Sequence, residues 1–504
     1  MLNVELNIVM KIKYTMIWAL LVGMCSAAMA QNDDIFRNPA MQSFRDSISQ
    51  TEVGVGYDYR HASTPMRLEQ GDGHSRAFAN VDAYLHKGKA TLWGNAYYSN
   101  GSTRNIQFCE TSDFELLYPY LMADTVGGKS QQERYHFLGG FSYPVGSRWH
   151  IGAEGSYAAS MEYRTRDPRP KNLSGDLKAQ LAASYRWGNV QDGHVLGLAI
   201  NARKYKQTNE VKLYNEVSTP TIYHLTGLGN DYYRFRGMNT STYYKGYGVG
   251  GAIDWMRASQ RGWFAHAEYG YLDIDKIISS LNELPMANIK EYREKVSFGC
   301  RKGNDRNIFG YAFSEEWTTR RGRENVFGTA QDNVYPQIST AAPYWSDKMQ
   351  LSVDAQYRHS FLDRSEIMVK GKLGWNGWEE AYEDDTDDPV RDLEGDAWVM
   401  GLGVSGKWNL RNWQLVGSLS GEYQLESFDY LSIRDEQATS ALLTPVEHYY
   451  DYLSSDRQFV TGQVEAGYTK DKRFTPFVRI AWQYAHYMET EHQNTLQVSV
   501  GVRF

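Results

Sequence analysis

The stretch "AHAEYG" sets His266 and Glu268 two residues apart. In an extended strand both side chains leave the same face, ~7 Å apart along the chain. That is the raw material of a general base with an orienting carboxylate. No nucleophile is tied to the pair by a motif. The chain also carries no zinc signature, no Gly-rich phosphate loop and no nucleophile elbow. A second candidate is "EEAYEDDTDDPVRDLEGD" (379–396), whose carboxylates could supply oxygen ligands to Ca²⁺. Its spacing is not that of an EF-hand, and solvated charge is what an external loop is expected to carry. The sequence therefore points away from an enzyme and assigns no catalytic residue, cofactor or metal.

A third constellation is larger and carries both signs. Lys178, Arg186, Arg203, Lys370, Lys372, Arg479 and Arg503 fall on the polar phase of alternating segments, as do Glu154, Asp254, Glu268 and Asp354. Facing a lumen, they would set a transverse field and tune ion selectivity. Alternatively they would satisfy one another as ion pairs.

The elements that must position these charges are strands. In "WHIGAEGSYAASMEY", Trp149, Ile151, Ala153, Tyr157, Ala159, Met161 and Tyr163 share one phase, and His150, Glu154, Ser156 and Glu162 share the other. "DLKAQLAASYRW" and "MQLSVDAQYRH" repeat the alternation. It predicts Leu181 and Ala183 against lipid, with Ala182 and Ser184 reached from the lumen. Segments of ~10 residues with this pattern are the signature of a transmembrane β-barrel. The connections alternate short ("KGKA", "PVGSR", "ASQRG", "LRN", "DKR") and long, the long ones near 100–132, 206–240, 272–290, 319–346, 379–395 and 426–457. Aromatics flank the short ones, as in Trp255 and Trp263, or Trp408 and Trp413. Such rings suit the interfacial girdle of a barrel. The expected fold is all-β: a transmembrane antiparallel up-and-down barrel of about 18 strands (16 possible), with short periplasmic turns and long external loops.

The composition agrees. The 504 residues carry a formal charge of −7, which leaves no basic footprint for nucleic acid. "MKIKYTMIWALLVGMCSAAMAQ" reads as a signal peptide ending at Ala30, with Met10 as a possible start. The predicted organisation is 1–30 signal peptide, 31–50 a short periplasmic or lumenal segment, and 51–504 barrel. After cleavage Cys109 and Cys300 remain, one placed in an external loop and one near a periplasmic turn, too far apart for a disulfide. The aromatic stretches "TIYHLTGLGNDYYRFR" (221–236) and "VEHYYDY" (446–452) either form a recognition surface or pack inward as a constriction.

In the last stretch, "TLQVSVGVRF", Leu496, Val498, Val500, Val502 and Phe504 share the lipid-facing phase. This resembles the C-terminal signal of outer-membrane barrels, in which a final Phe follows alternating apolar residues. The resemblance implies that Phe504, Val502 and Val500 are read by the barrel assembly machinery, and that the protein sits in the outer membrane. Near the start, Asn38-Pro39-Ala40 resembles the NPA tripeptide of the long-chain fatty-acid transporter family, where it belongs to an N-terminal plug. The whole chain looks like the uncharacterised outer-membrane barrels of ~500 residues found in Gram-negative envelopes. The expected function is a channel or porin-like barrel passing small solutes through a loop-gated lumen. The alternatives are a docking subunit for an envelope or secretion complex, and a transporter of hydrophobic compounds. The expected partners are outer-membrane lipid and the assembly machinery, with an envelope partner protein possible. TonB-dependent receptors fit poorly, because little chain precedes the barrel.

Overall fold

Alternation decides which side of the wall each residue meets. Leu181, Leu198, Ile200 and Leu402 are all more than half exposed on the outer face, an arrangement that lipid stabilises and water does not. Their neighbours in sequence point into the ring. The computed structural model describes residues 34–504, except 46–47, 190–191, 216–219, 238–240, 333, 384–388, 435–439 and 471–473. The predicted signal peptide and the turn at "DKR" lie outside the described residues.

Eighteen antiparallel strands, each hydrogen-bonded to its sequence neighbours in the ring, form a closed transmembrane barrel. Closure pairs the first strand, Gln50–Ala62, with the last, Glu491–Arg503. Val53 faces Val502 and Val55 faces Val500 in that register. Phe504 continues the ladder, its N–H donating to the Thr51 carbonyl at 2.8 Å. A further short strand, Gln337–Ala341, extends one edge outside the ring.

The strands are 12 to 22 residues long, against the ~10 that a bilayer requires. The excess projects at the long-loop end. On His194–Lys212 the outer face runs Leu196, Leu198, Ile200, Ala202 and then turns to Lys204 and Lys206. On Gly262–Ile278 it runs from Trp263 to Tyr271 and then to Asp273 and Asp275.

Several expected long loops are therefore paired strand. The segment 272–290 holds only a tight connection between Gly262–Ile278 and Leu284–Gly303. Most of the acidic stretch lies in Glu366–Glu383 and Pro389–Leu410 rather than in a loop, with 384–388 outside the described residues. Above the membrane the outer face no longer needs to be apolar, so the alternation that marks strands in sequence fades while the ladder continues. The segment 426–457 likewise holds the end of Trp413–Ile433 and a helix, Ser440–Leu453.

Candidate functional site

Two folded inserts occupy the lumen, one at each end. At the short-turn end two short 3₁₀ helices, Ile35–Arg37 and Pro39–Phe44, pack inside it against the wall. Asn38 caps the second: its Oδ1 accepts from the Ala40 N–H at 3.0 Å, and Pro39 at the first helical position needs no amide partner. The Asn38 side chain also donates to Asp254 at 2.7 Å, and Ser184 Oγ donates to the Ala40 carbonyl at 3.1 Å. Gln260 and Tyr84 hold the Phe44 and Gln42 carbonyls. Ile35, Phe36 and Met41 pack on Val195, Met256, Phe264 and Ala312 of the wall. A Cβ built on Gly152 would lie 2.4 Å from the Pro39 carbonyl carbon, so only glycine lets the insert sit this close. The tripeptide is thus part of a lumenal insert. Ser184 does face inward, but Ala40 covers it, and the expected access from the lumen is absent.

At the long-loop end, residues 107–127 cross the lumen instead of standing outside it. The Leu121 carbonyl accepts from Lys276 Nζ at 2.8 Å, and the Tyr120 carbonyl from Tyr244 Oη at 2.9 Å. Tyr205 Oη donates to Asp113 and Ser112 Oγ to Gln207. Tyr118 Oη bonds Glu380 on the far wall. Leu117, Tyr120 and Leu121 join one apolar cluster with Tyr205, Tyr244, Ile274, Ile289 and Tyr344 of the wall. Met122–Ala123 pairs with the short strand Tyr223–Gly227, which brings the aromatic segment 221–236 inward as well. Phe235 is fully buried, and the helix Ser440–Leu453 packs its Leu442 and Leu453 over these segments. Both aromatic stretches therefore serve largely as a constriction, although Tyr233 stays exposed.

Charge in this second insert is sequestered. Arg164 donates to Asp124 at 2.5 Å and lies 3.7 Å from Glu110. Burial, followed by the neighbouring Asp124 carboxylate, pushes the Glu110 carboxyl well above its ordinary range. Burial likewise raises the Cys109 thiol. Cys109 and Cys300 are both free and buried.

Beside the first insert, against the wall, lies a cavity of about 770 Å³, and a smaller recess of about 330 Å³ is lined by Asn80, Asp82, Tyr97, His136, Arg479 and Ser499. The larger is lined by Lys370, Lys372, Asp354, Glu422 and a series of Ser, Thr and Gln side chains, with Asp34 and Lys295 at its edge. Lys372 sits 3.1 Å from Glu422, and Ser352 donates to Asp354.

The remaining predicted lumen residues are spread over the wall. Arg203 grips Asp176 with two bonds, of 2.8 and 3.0 Å, and Lys178 lies 3.6 Å from the same carboxylate. Arg186 donates to the Ser147 carbonyl near a short turn. Glu154 accepts from Trp93. Arg479 and Arg503 meet Glu52 and Glu465 in a four-residue network at 2.7 to 3.0 Å, which ties the closing strands together. Asp254 and Glu268 both approach His266, at 2.7 and 3.7 Å. His266 and Asp254 are nearly inaccessible under the first insert, whereas Glu268 stays half-buried beside them.

Sequence reasoning missed Glu52, Asp176, Glu422 and Glu465. Their strand parity carried the signal: Asp176 shares a phase with Lys178, and Glu422 with Ser420 and Gln424. The insert residues Asp34 and Met41 had no such periodic cue.

A family model described as "Family of unknown function (DUF6850)" matches residues 39–504. No curated protein matches the sequence. Among solved structures, the barrel is similar to BauA, the ferric preacinetobactin receptor of Acinetobacter baumannii, at 10% identity and a TM-score of 0.42, over 91% of this chain and 80% of that one. CdiB from Acinetobacter baumannii aligns at 7% identity and a TM-score of 0.34, over 90% of this chain and 60% of that one. The Escherichia coli ferric-catecholate import receptor Fiu aligns at 7% identity and 0.38, over 93% and 82%. Likeness at this level carries no inference about cargo.

Proposed function

The chain belongs to the DUF6850 family of unknown function, and from its own interior we propose that it is an outer-membrane channel, closed at rest, for small polar solutes. The observation that carries this reading is the polar cavity beside the first insert, in a lumen that two inserts narrow. An open barrel of this size would leave an aqueous channel along its axis. Here the inserts narrow the lumen, and its polar cavity of about 770 Å³ has the size of a site for one small molecule. Its lining offers neutral hydrogen-bonding groups and charges, which favours a polar solute over hydrophobic cargo. The first insert is the shorter of the two, held by the packing of Ile35, Phe36 and Met41, by Asn38 on Asp254 and by side-chain hydrogen bonds to its carbonyls. It is the natural gate. No catalysis enters this proposal.

A docking subunit is the second reading. Leu121, Met122 and Ala123 of the long-loop insert are fully buried, packing expected of a permanent seal. Swelling of proteoliposomes in neutral sugars separates the two. A gated channel admits sugar slowly, and faster once the inserts are displaced. A docking barrel admits none in either state.

A further inference from the structure

We propose that the outer face of the strands His194–Lys212 and Ser241–Arg257 carries a binding site for the phosphate of anionic lipid headgroups, built from Lys204, Lys206 and Lys245. All three side chains are exposed on the outer face. Lys206 and Lys245 stand directly opposite one another in the ladder, and Lys204 faces Tyr247 one step nearer the membrane. Like charges placed directly across a sheet repel, and an anion between them removes the penalty.

Among the described residues none of the three has an ion-pair partner. Lys212, further along the same strand, does have one, Glu210 at 3.5 Å. The ammonium groups of Lys206 and Lys245 instead lie 5.9 and 5.6 Å from the rings of Tyr243 and Tyr247. Tyrosine beside lysine is the pairing expected at headgroup level.

Height selects lipid over a soluble anion. Below the lysines the outer face is apolar through Leu196, Leu198, Ile200, Val249 and Ile253. Lys206 is ten residues from Leu196, ~33 Å along the strand, or ~25 Å along the membrane normal at a tilt of ~40°. That is the full height of an apolar band. The lysines therefore sit at its far rim, where phosphates of the facing leaflet lie. On the adjoining strand Asp275 stands opposite Lys245 and Asp273 opposite Tyr247, so carboxylates bound the lysines on that side. The site is thus confined to one arc.

The test is native mass spectrometry of the whole protein, released from vesicles of phosphatidylcholine with phosphatidylglycerol. The wild type should retain phosphatidylglycerol selectively. The triple variant K204Q/K206Q/K245Q should lose on the order of a hundredfold in that preference, at roughly fivefold per lysine. K212Q, which removes a lysine already compensated by Glu210, should not change it. Retained heat-modifiability on gels verifies that each variant is folded. Equal retention by wild type and triple variant would overturn the proposal. So would binding of inorganic phosphate with no lipid preference, or a protein retained in place of lipid through the same lysines.

Discussion

Replacing Gly152 should unseat the insert at the short-turn end. A Cβ at this position would lie 2.4 Å from the Pro39 carbonyl carbon and 2.6 Å from the Ala40 nitrogen. Both are backbone atoms, so no rotamer change relieves the contact, and the insert must move by about 1 Å. Overpacking of this kind costs ~1–3 kcal/mol. At ~1.4 kcal/mol per factor of ten, the displaced population rises roughly 5- to 150-fold. Gly152→Ala belongs near the low end and Gly152→Leu near the high end. The reporter is Ser184→Cys in a chain whose Cys109 and Cys300 are replaced by alanine. Ser184 is covered by Ala40, so a charged, water-soluble maleimide should label the introduced thiol slowly while the insert is seated. Labelling should accelerate 10- to 100-fold in Gly152→Leu, with heat-modifiability retained. Fast labelling with Gly152 intact would refute the seated insert. Unchanged slow labelling in a folded Gly152→Leu protein would refute the close approach.

Other expectations follow from the same contacts. Gly322→Leu should loosen the long-loop insert, because a Cβ there would lie 2.3 Å from Tyr120 Oη; limited proteolysis within 107–127 should speed up about tenfold. Arg479→Gln leaves Glu52 and Glu465 only partly neutralised and should cost ~1–3 kcal/mol, read as a lower unfolding temperature on gels; an unchanged temperature would mean that solvent already screens the network. Deleting Phe504 should reduce the membrane-integrated form in cells, and normal insertion would remove its role in assembly. The Glu110 carboxyl is raised in the folded state, so its stabilisation is complete below the unfolded value near ~4.3 and is lost as pH rises through the folded one. Glu110→Gln should therefore slow hydrogen exchange of 107–127 at pH 8 and leave it unchanged at pH 4.

The barrel was legible because a lipid-facing wall writes itself into sequence with period two. Trp149 and His150, or Leu181 and Ala182, take opposite faces as their phases require. Closure was legible in Val500 and Val502 for the same reason. The signal failed where lipid ends: Asp273 and Lys290 stand on outer faces that no longer need apolar residues, so paired strand read as loop. It failed also for the inserts. Residues 107–127 are buried by contacts with strands a hundred or more residues away, such as Tyr244 and Tyr344, and no local periodicity encodes that. Asn38-Pro39-Ala40 drew notice as a motif, yet its seat depends on Gly152, Ser184 and Asp254, which three separate strands supply.

Single-channel recording in planar bilayers tests the central claim most directly, with the wild type set beside the double variant Gly152→Leu/Gly322→Leu. A channel closed at rest predicts rare, brief steps for the wild type. It predicts frequent ion-conducting steps for the variant, with maleimide labelling of the Ser184→Cys reporter in the same background confirming that the first insert has moved. A folded double variant whose reporter thiol labels rapidly, but which never conducts, would contradict the channel and leave the barrel as a docking subunit.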